Sequence, residues 1–146
     1  MSQQTILLVE DNPQDEMLTL RALRKAGLAN PIDVARDGQQ ALDYLFRQGE
    51  FADQAGADLP MVVLLDIGLP RLSGLEVLQK LRADSRTRRI PVVILTSSDE
   101  KTDRQRAYEA GVNSFVRKPV DFHARVDTVA RLGLYWVATN EPPDEC

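Results

Sequence analysis

Cysteine is nearly absent: the chain of 146 residues carries one, Cys146, at its end. A lone thiol excludes an internal disulfide framework and any cysteine-built metal cluster, and agrees with a reducing compartment. Histidine is as scarce, with His123 alone. No apolar run approaches the roughly 18 residues of a membrane span, and the first residues lack the basic start and apolar core of a signal peptide. A cytoplasmic protein with no membrane contact is expected. Positive charge is also in deficit, 18 Lys and Arg against 22 Asp and Glu. Proteins that grip phosphate backbones carry a basic footprint, so nucleic acid is not an expected partner.

What is present describes an ordinary globular chain, 43% apolar and 27% charged, of a length that fits a single domain spanning 1–146. Thr5 to Val9 reads as a short apolar strand closed by Glu10 and Asp11. Asn12 and Pro13 then supply a cap and a first helical residue, and Asp15 and Glu16 lie where the helix dipole favours acids. The first helix runs to about Ala26, with Met17, Leu20 and Leu23 on its stripe. Pro31 to Ala35 is a half-exposed strand, Asp37-Gly38 a turn, and Ala41 to about Gln48 a second helix. Gly49 to Pro60 is a polar connection of unusual length, either an extension of the second helix or a mobile flap. Met61 to Leu65 is five apolar residues in a row, a central strand covered on both faces, and it ends on Asp66.

A turn-rich loop holding Gly68, Pro70 and Ser73 leads to a third helix from Gly74 to Leu81. Ile90 to Leu95 is a fourth strand ending in Thr96, followed by a polar, loosely held helix from about Asp99 to Ala110. Val112 to Arg117 is the fifth strand, then Lys118-Pro119, and Asp121 caps a last helix to about Ala138. The packed core is expected over 5–138 and a frayed tail over 139–146. Strands and helices in alternation with short connections predict a doubly wound α/β sandwich on a parallel sheet.

In such sheets functional groups gather at the carboxyl ends of the strands, near the point where strand order reverses. Glu10, Asp11, Asp66, Thr96 and Lys118 all fall there. Singly each has a plain explanation: strand-closing turns for the acids, a helix cap for Thr96, a surface position for Lys118. Together on an apolar sheet they ask for a purpose. Two carboxylates some 4 Å apart repel by about 4 kcal/mol at an effective dielectric near 20, so the cluster calls for a cation. An all-oxygen set selects a hard ion, and Mg²⁺ with one or two carboxylates, waters and a phosphate is the usual arrangement. Lys118 and Thr96 can hold phosphoryl oxygens, and Asp66 is then placed as a nucleophile that forms an acyl phosphate.

The motifs Val9-Glu10-Asp11-Asn12-Pro13, Leu65 to Pro70 with Ser73-Gly74, Thr96-Ser97 and Lys118-Pro119 resemble the receiver domain of two-component response regulators, over residues 5 to about 138. The stretch Glu10 to Asp15, the long insert before the third strand and a last helix ending in Leu134-Tyr135-Trp136 are most similar to the stand-alone regulators that partner bacterial phytochrome histidine kinases. The resemblance implies a (βα)5 flavodoxin-like fold with sheet order 2-1-3-4-5. It implies a switch protein, not an enzyme, with no DNA-binding output domain. Asp66 would be phosphorylated by a sensor histidine kinase, of the bacteriophytochrome kind. Asp11, Asp66 and the Gly68 carbonyl would bind Mg²⁺, with Glu10 acting through water. Thr96 and Lys118 would hold the phosphoryl group, Thr96 and Phe115 would form the switch, and the Lys118-Pro119 bond would be cis. Phe115 is also readable as a plain core residue. Two positions depart from the family pattern: Glu10 stands where Asp is usual, and Gly68, where a larger side chain is frequent, leaves the site more open and bears on phosphoryl lifetime.

Rival readings meet specific objections. A haloacid dehalogenase type of enzyme needs a second acid two residues after the nucleophile, and that residue is Gly68. A nucleotide-binding module needs a glycine-rich loop after the first strand, where Glu10 to Pro13 is anionic. A receiver that has lost phosphorylation and serves as a scaffold stays open as a minor alternative, although all five sites are present. His123, on an exposed helix, offers no donor, so a partner kinase is implied. At the other end, the last helix would extend some 27 Å, beyond strands of about 17–20 Å. Its overhang carries Leu134, Tyr135, Trp136 and Val137, pointing all round the helix. It either folds onto its own domain or makes a homodimer contact through Leu134, Tyr135 and Trp136.

Overall fold

The computed structural model describes residues 4–54 and 58–143. The expected tail therefore lies partly outside the described residues. Five short strands form one parallel sheet: β1 (Ile6–Val9), β2 (Ile32–Ala35), β3 (Val62–Leu65), β4 (Val92–Thr96) and β5 (Ser114–Arg117). Their spatial order is β2-β1-β3-β4-β5, the doubly wound arrangement expected. The order reverses between β1 and β3, whose registers pair Val9 with Leu65. That pairing places Glu10 and Asp66 side by side at the carboxyl edge.

Among the α-helices, all but the fourth open on a side-chain cap. α1 (Pro13–Lys25) is capped by Asn12, whose side chain accepts from the N–H groups of Gln14 and Asp15. α3 (Gly74–Ala83) opens on a reciprocal Ser73–Glu76 capping box, which satisfies two otherwise orphaned donors. α5 (Phe122–Gly133) is capped by Asp121. α2 (Gly38–Leu45) starts earlier than its apolar periodicity indicates, because the Asp37 carboxylate accepts from Gln40 N at 2.7 Å and acts as a cap, not a turn residue. Gly38 is buried there; a Cβ would overlap the Leu72 backbone. α4 (Lys101–Glu109) buries only Ala107, the thin attachment its polar composition predicts.

The long connection after α2 is neither a continued helix nor a flap in its first half. Arg47 turns left-handed at φ 52° and ends α2, and Gly49–Gln54 forms a short 3-10 helix. Phe51 meets Tyr44 edge to face at 5.3 Å, so the segment is pinned by an aromatic contact that periodicity cannot register.

Two cores flank the sheet. One lies under α2, α3 and α4 and holds Val9, Leu65, Leu78, Leu81 and Ile94. The other, under α1 and α5, holds Leu8, Leu23, Leu64, Val93 and Val129. Every residue of β1, β3 and β4 is buried, as continuous apolar runs require in a sheet covered on both faces. The helical path of α5 continues as a wider π turn over Leu134–Thr139. Gly133 lets it approach, since a Cβ would overlap the Leu23 and Leu28 side chains. Trp136 and Val137 then pack on the second core, while Leu134 and Tyr135 stay 43% and 50% exposed. The overhang thus divides: half of it folds home. Among the described residues no helix is long and apolar enough to cross a membrane.

Candidate functional site

Four strand ends deliver the site. Glu10 follows β1 and is 2% exposed; Asp66 follows β3 and is half-buried, with its N–H donating to Val9 O at 3.2 Å. Thr96 closes β4 and is buried, and Lys118 follows β5 with its N–H on Thr96 O at 2.7 Å. The side chains converge. Lys118 Nζ donates to Glu10 Oε1 at 2.7 Å, Asp15 Oδ2 at 2.9 Å and Asp66 Oδ2 at 3.1 Å. On the other Asp66 oxygen, Oδ1, Thr96 Oγ1 donates at 2.9 Å and Gly68 N at 3.2 Å. Asp66 is held at both oxygens, with one edge open to solvent.

One ammonium among several carboxylates leaves the site anionic. Burial pushes the Glu10 carboxyl above its ordinary range in spite of its bond to Lys118. Burial also works against the Lys118 charge, but Glu10, Asp66 and Asp15 outweigh it and lift the ammonium to about 12. Burial opposes the Asp15 carboxylate as well; Lys118 and Arg125 together overcome it and hold that group below its usual value. Lys118 is therefore a fixed cation at any pH near neutrality, and a dication could relieve the excess of acids.

A metal has somewhere to sit. One carboxylate oxygen each from Glu10, Asp11 and Asp66 lie within 4.8 Å of one another, and Asp11 is exposed. An oxygen-only donor set at a solvent-facing edge fits a hard divalent cation that keeps several waters. The Gly68 backbone lies beside it, and a Cβ there would meet nothing within 4 Å, so the mouth is open as the small residue implies. A cleft bordered by Asp66, Ile67, Gly68, Thr96, Ser98 and Asp103 leads away from the Asp66 carboxylate.

Not every expected feature gathers here. The Lys118-Pro119 bond is trans, since no described residue has a cis peptide. Trans is the intrinsically preferred state, and with it Lys118 already reaches all three carboxylates, so the cis form is not required. Phe115 pairs with Ile94 in register and packs against the α3–α4 core, two residues short of the level of Thr96. His123 is exposed on α5, its ring edge-on to Phe122 at 5.7 Å.

Two residues join the site unannounced. Asp15, legible in sequence only as a first-turn acid, bridges Lys118 and Arg125, whose NH2 donates to Asp15 Oδ1 at 2.7 Å. The third residue of a helix that starts straight after a strand end can point back across that edge, and this is the one signal that could have found it.

Gly74 also matters. A Cβ on it would overlap the Asp66 carbonyl oxygen, so this glycine lets α3 press directly on the loop that carries the nucleophile candidate.

Residues 6–130 match the family model described as the response regulator receiver domain. The chain is 33% identical over 134 residues to the response regulator Rcp1 of Synechocystis, covering 92% of this chain and 89% of that protein; the structure of the Mn²⁺-bound form of Rcp1 aligns with a TM-score of 0.89 over 96% and 99% of the two chains. The phosphorylated cyanobacterial phytochrome response regulator RcpA aligns at 0.91 with 33% identity, over 98% of this chain and all of that one. The bacteriophytochrome response regulator AtBRR is 46% identical with a TM-score of 0.78, over 98% of each chain. With its sheet order, its acid cluster and a match across most of its length, the chain belongs to the response regulator receiver family.

Proposed function

We propose that the protein is a phosphorylation switch whose acceptor is Asp66, loaded by a sensor histidine kinase of the bacteriophytochrome type in a Mg²⁺-dependent step. One observation carries the reading: Asp66 is held on one oxygen by Thr96 and Gly68 and on the other by Lys118, beside two further carboxylates. An Asp66 oxygen attacks the phosphorus of a phosphohistidine; the P–N bond breaks, its electron pair leaves on the imidazole, and an acyl phosphate remains on Asp66. Lys118 and Thr96 would take phosphoryl oxygens as negative charge develops on them. Asp11, Asp66 and the Gly68 carbonyl, with Glu10 through water, would hold Mg²⁺, which would supply positive charge to offset the carboxylate and phosphoryl oxygens. Hydrolysis returns the carboxylate. Phe115 and Thr96 would relay the change, Phe115 from within the core.

Acetyl phosphate, which needs no kinase, tests the acceptor. Wild type gains one phosphoryl group by intact mass in Mg²⁺ and none in chelator, while Asp66→Asn gains none and melts cooperatively. Mg²⁺-dependent labelling of that variant would move the acceptor elsewhere.

The signal passes by protein contact, in the cytoplasm, and a homodimer is part of the proposal. Leu134 and Tyr135 are exposed neighbours at the end of α5, and paired apolar anchors on one helix end fit a symmetric contact. Trp136 stacks edge-on against Tyr135 at 5.1 Å while packing on its own core, so it supports that contact from behind. Light scattering on a sizing column should give a dimer mass at micromolar concentration and a monomer for Tyr135→Glu. A monomeric wild type, phosphorylated or not, removes the dimer.

A further inference from the structure

Lys118 has three N–H donors, and all three end on carboxylates: Glu10, Asp66 and Asp15. Glu10 and Asp66 are accounted for by the reading above, on which this inference rests; Asp15 is not. It is an additional anion, 2.9 Å from the one ammonium that the phosphoryl group must use. Its second oxygen is bound by Arg125 of α5 at 2.7 Å. The two side chains are mostly buried, 16% and 23% exposed, so solvent screens their charges only in part.

We propose that Asp15 and Arg125 are a tuning pair for phosphorylation: Asp15 competes with the phosphoryl group for the Lys118 ammonium, and Arg125, by binding the far oxygen of Asp15, weakens that competition. A phosphoryl group on Asp66 brings roughly two negative charges and acceptor oxygens to the neighbourhood of Lys118. The ammonium has no spare donor for them. An anion already on Lys118 both occupies a donor and repels the newcomer. A guanidinium on the back of that anion withdraws part of its charge. Because Arg125 belongs to α5, the effect runs both ways: whatever Arg125 does for the phosphoryl group, the phosphoryl group does for the grip of α5 on α1. The same helix leads to the exposed Leu134 and Tyr135.

The competition predicts opposite signs for two neighbouring substitutions, which a merely structural ion pair does not. The probe is beryllofluoride, a phosphoryl mimic, titrated calorimetrically into the full chain in millimolar Mg²⁺. Asp15→Asn should bind it more tightly than wild type, on the order of tenfold, the size of one charge-assisted hydrogen bond's surplus. Arg125→Gln should bind it more weakly, because Asp15 is then free to hold Lys118 with its full charge. Arg125→Lys, which keeps the cation, should restore the wild-type affinity. The double variant should follow Asp15→Asn, since Arg125 acts only through Asp15. Melting in chelator checks that each variant is folded, and should Arg125→Gln fail to fold, Asp15→Asn alone still carries the sign. Weaker binding by Asp15→Asn, equal affinities throughout, or a double variant that sums the two single effects overturns the inference while leaving Asp66 as acceptor. A wild type that does not bind beryllofluoride overturns the Asp66 reading, and this inference with it.

Discussion

Removing the exposed member of the acid cluster should make the metal-free protein more stable and deaf to Mg²⁺. In Asp11→Asn one charge leaves a set whose oxygens lie within 4.8 Å of one another. At that distance each like-charged pair repels by about 0.9 kcal/mol in water and about 3.5 kcal/mol at an effective dielectric of 20. Asp11 is exposed, which favours the lower figure, and Lys118 on Glu10 and Asp66 offsets part of the field. The net relief is therefore about 1–2 kcal/mol, or some 2–8 °C in melting temperature for a chain of this size. Wild type at ten times its dissociation constant for Mg²⁺ gains about 1.4 kcal/mol by mass action. The variant, short of one anionic ligand, should gain almost nothing at the same concentration, so the two melting curves cross as Mg²⁺ rises. Thermal melts at low ionic strength, first in chelator and then through a millimolar Mg²⁺ series, measure both halves. An Asp11→Asn protein that melts at or below wild type in chelator, or that follows wild type through the series, refutes the cluster as a metal site.

Gly74→Ala should cost about 3 kcal/mol by forcing a methyl into the Asp66 carbonyl, within the range for overpacking, and should slow acetyl phosphate labelling by displacing the acceptor; an unchanged urea midpoint would show that the α3 contact yields freely. Tyr44 donates to Asp33 at 2.6 Å, and burial first, then that bond, pushes its hydroxyl from 10.0 up to about 12. A group with a raised folded pKa adds stability that is present below its unfolded value and lost as pH rises through the folded one, so the loss falls between about pH 10 and 12 and amounts to about 2–3 kcal/mol. Tyr44→Phe should flatten that alkaline limb in pH-dependent melts relative to wild type, and parallel curves would show that the hydroxyl ionises as freely folded as unfolded.

Much of the protein follows from features that act within a few residues. Asn12-Pro13, Ser73 with Glu76, and Asp121 start their helices because a side-chain oxygen finds a backbone N–H two or three positions on, and such reach is legible in sequence. The buried strands are legible for the same reason, as unbroken apolar runs. The acids at the ends of β1 and β3, Thr96 and Lys118 could be assembled because alternating strands and helices admit one side of the sheet for function. Where that local logic ran short, the assignments shifted: Asp37 caps α2 where a turn was expected, and Phe51 pins the long connection against Tyr44.

Tertiary structure alone decided the rest. The Lys118–Asp15 and Arg125–Asp15 bonds span 103 and 110 residues, and no periodicity in either helix points to them; they exist because α1 and α5 lie on the same face of the sheet. Trp136 and Tyr135 are neighbours of similar chemistry, yet the π turn sends one into the second core and leaves the other exposed. Sequence placed four aromatic and aliphatic residues at a helix end; the direction of that turn over Gly133 decided which of them remain available to a partner.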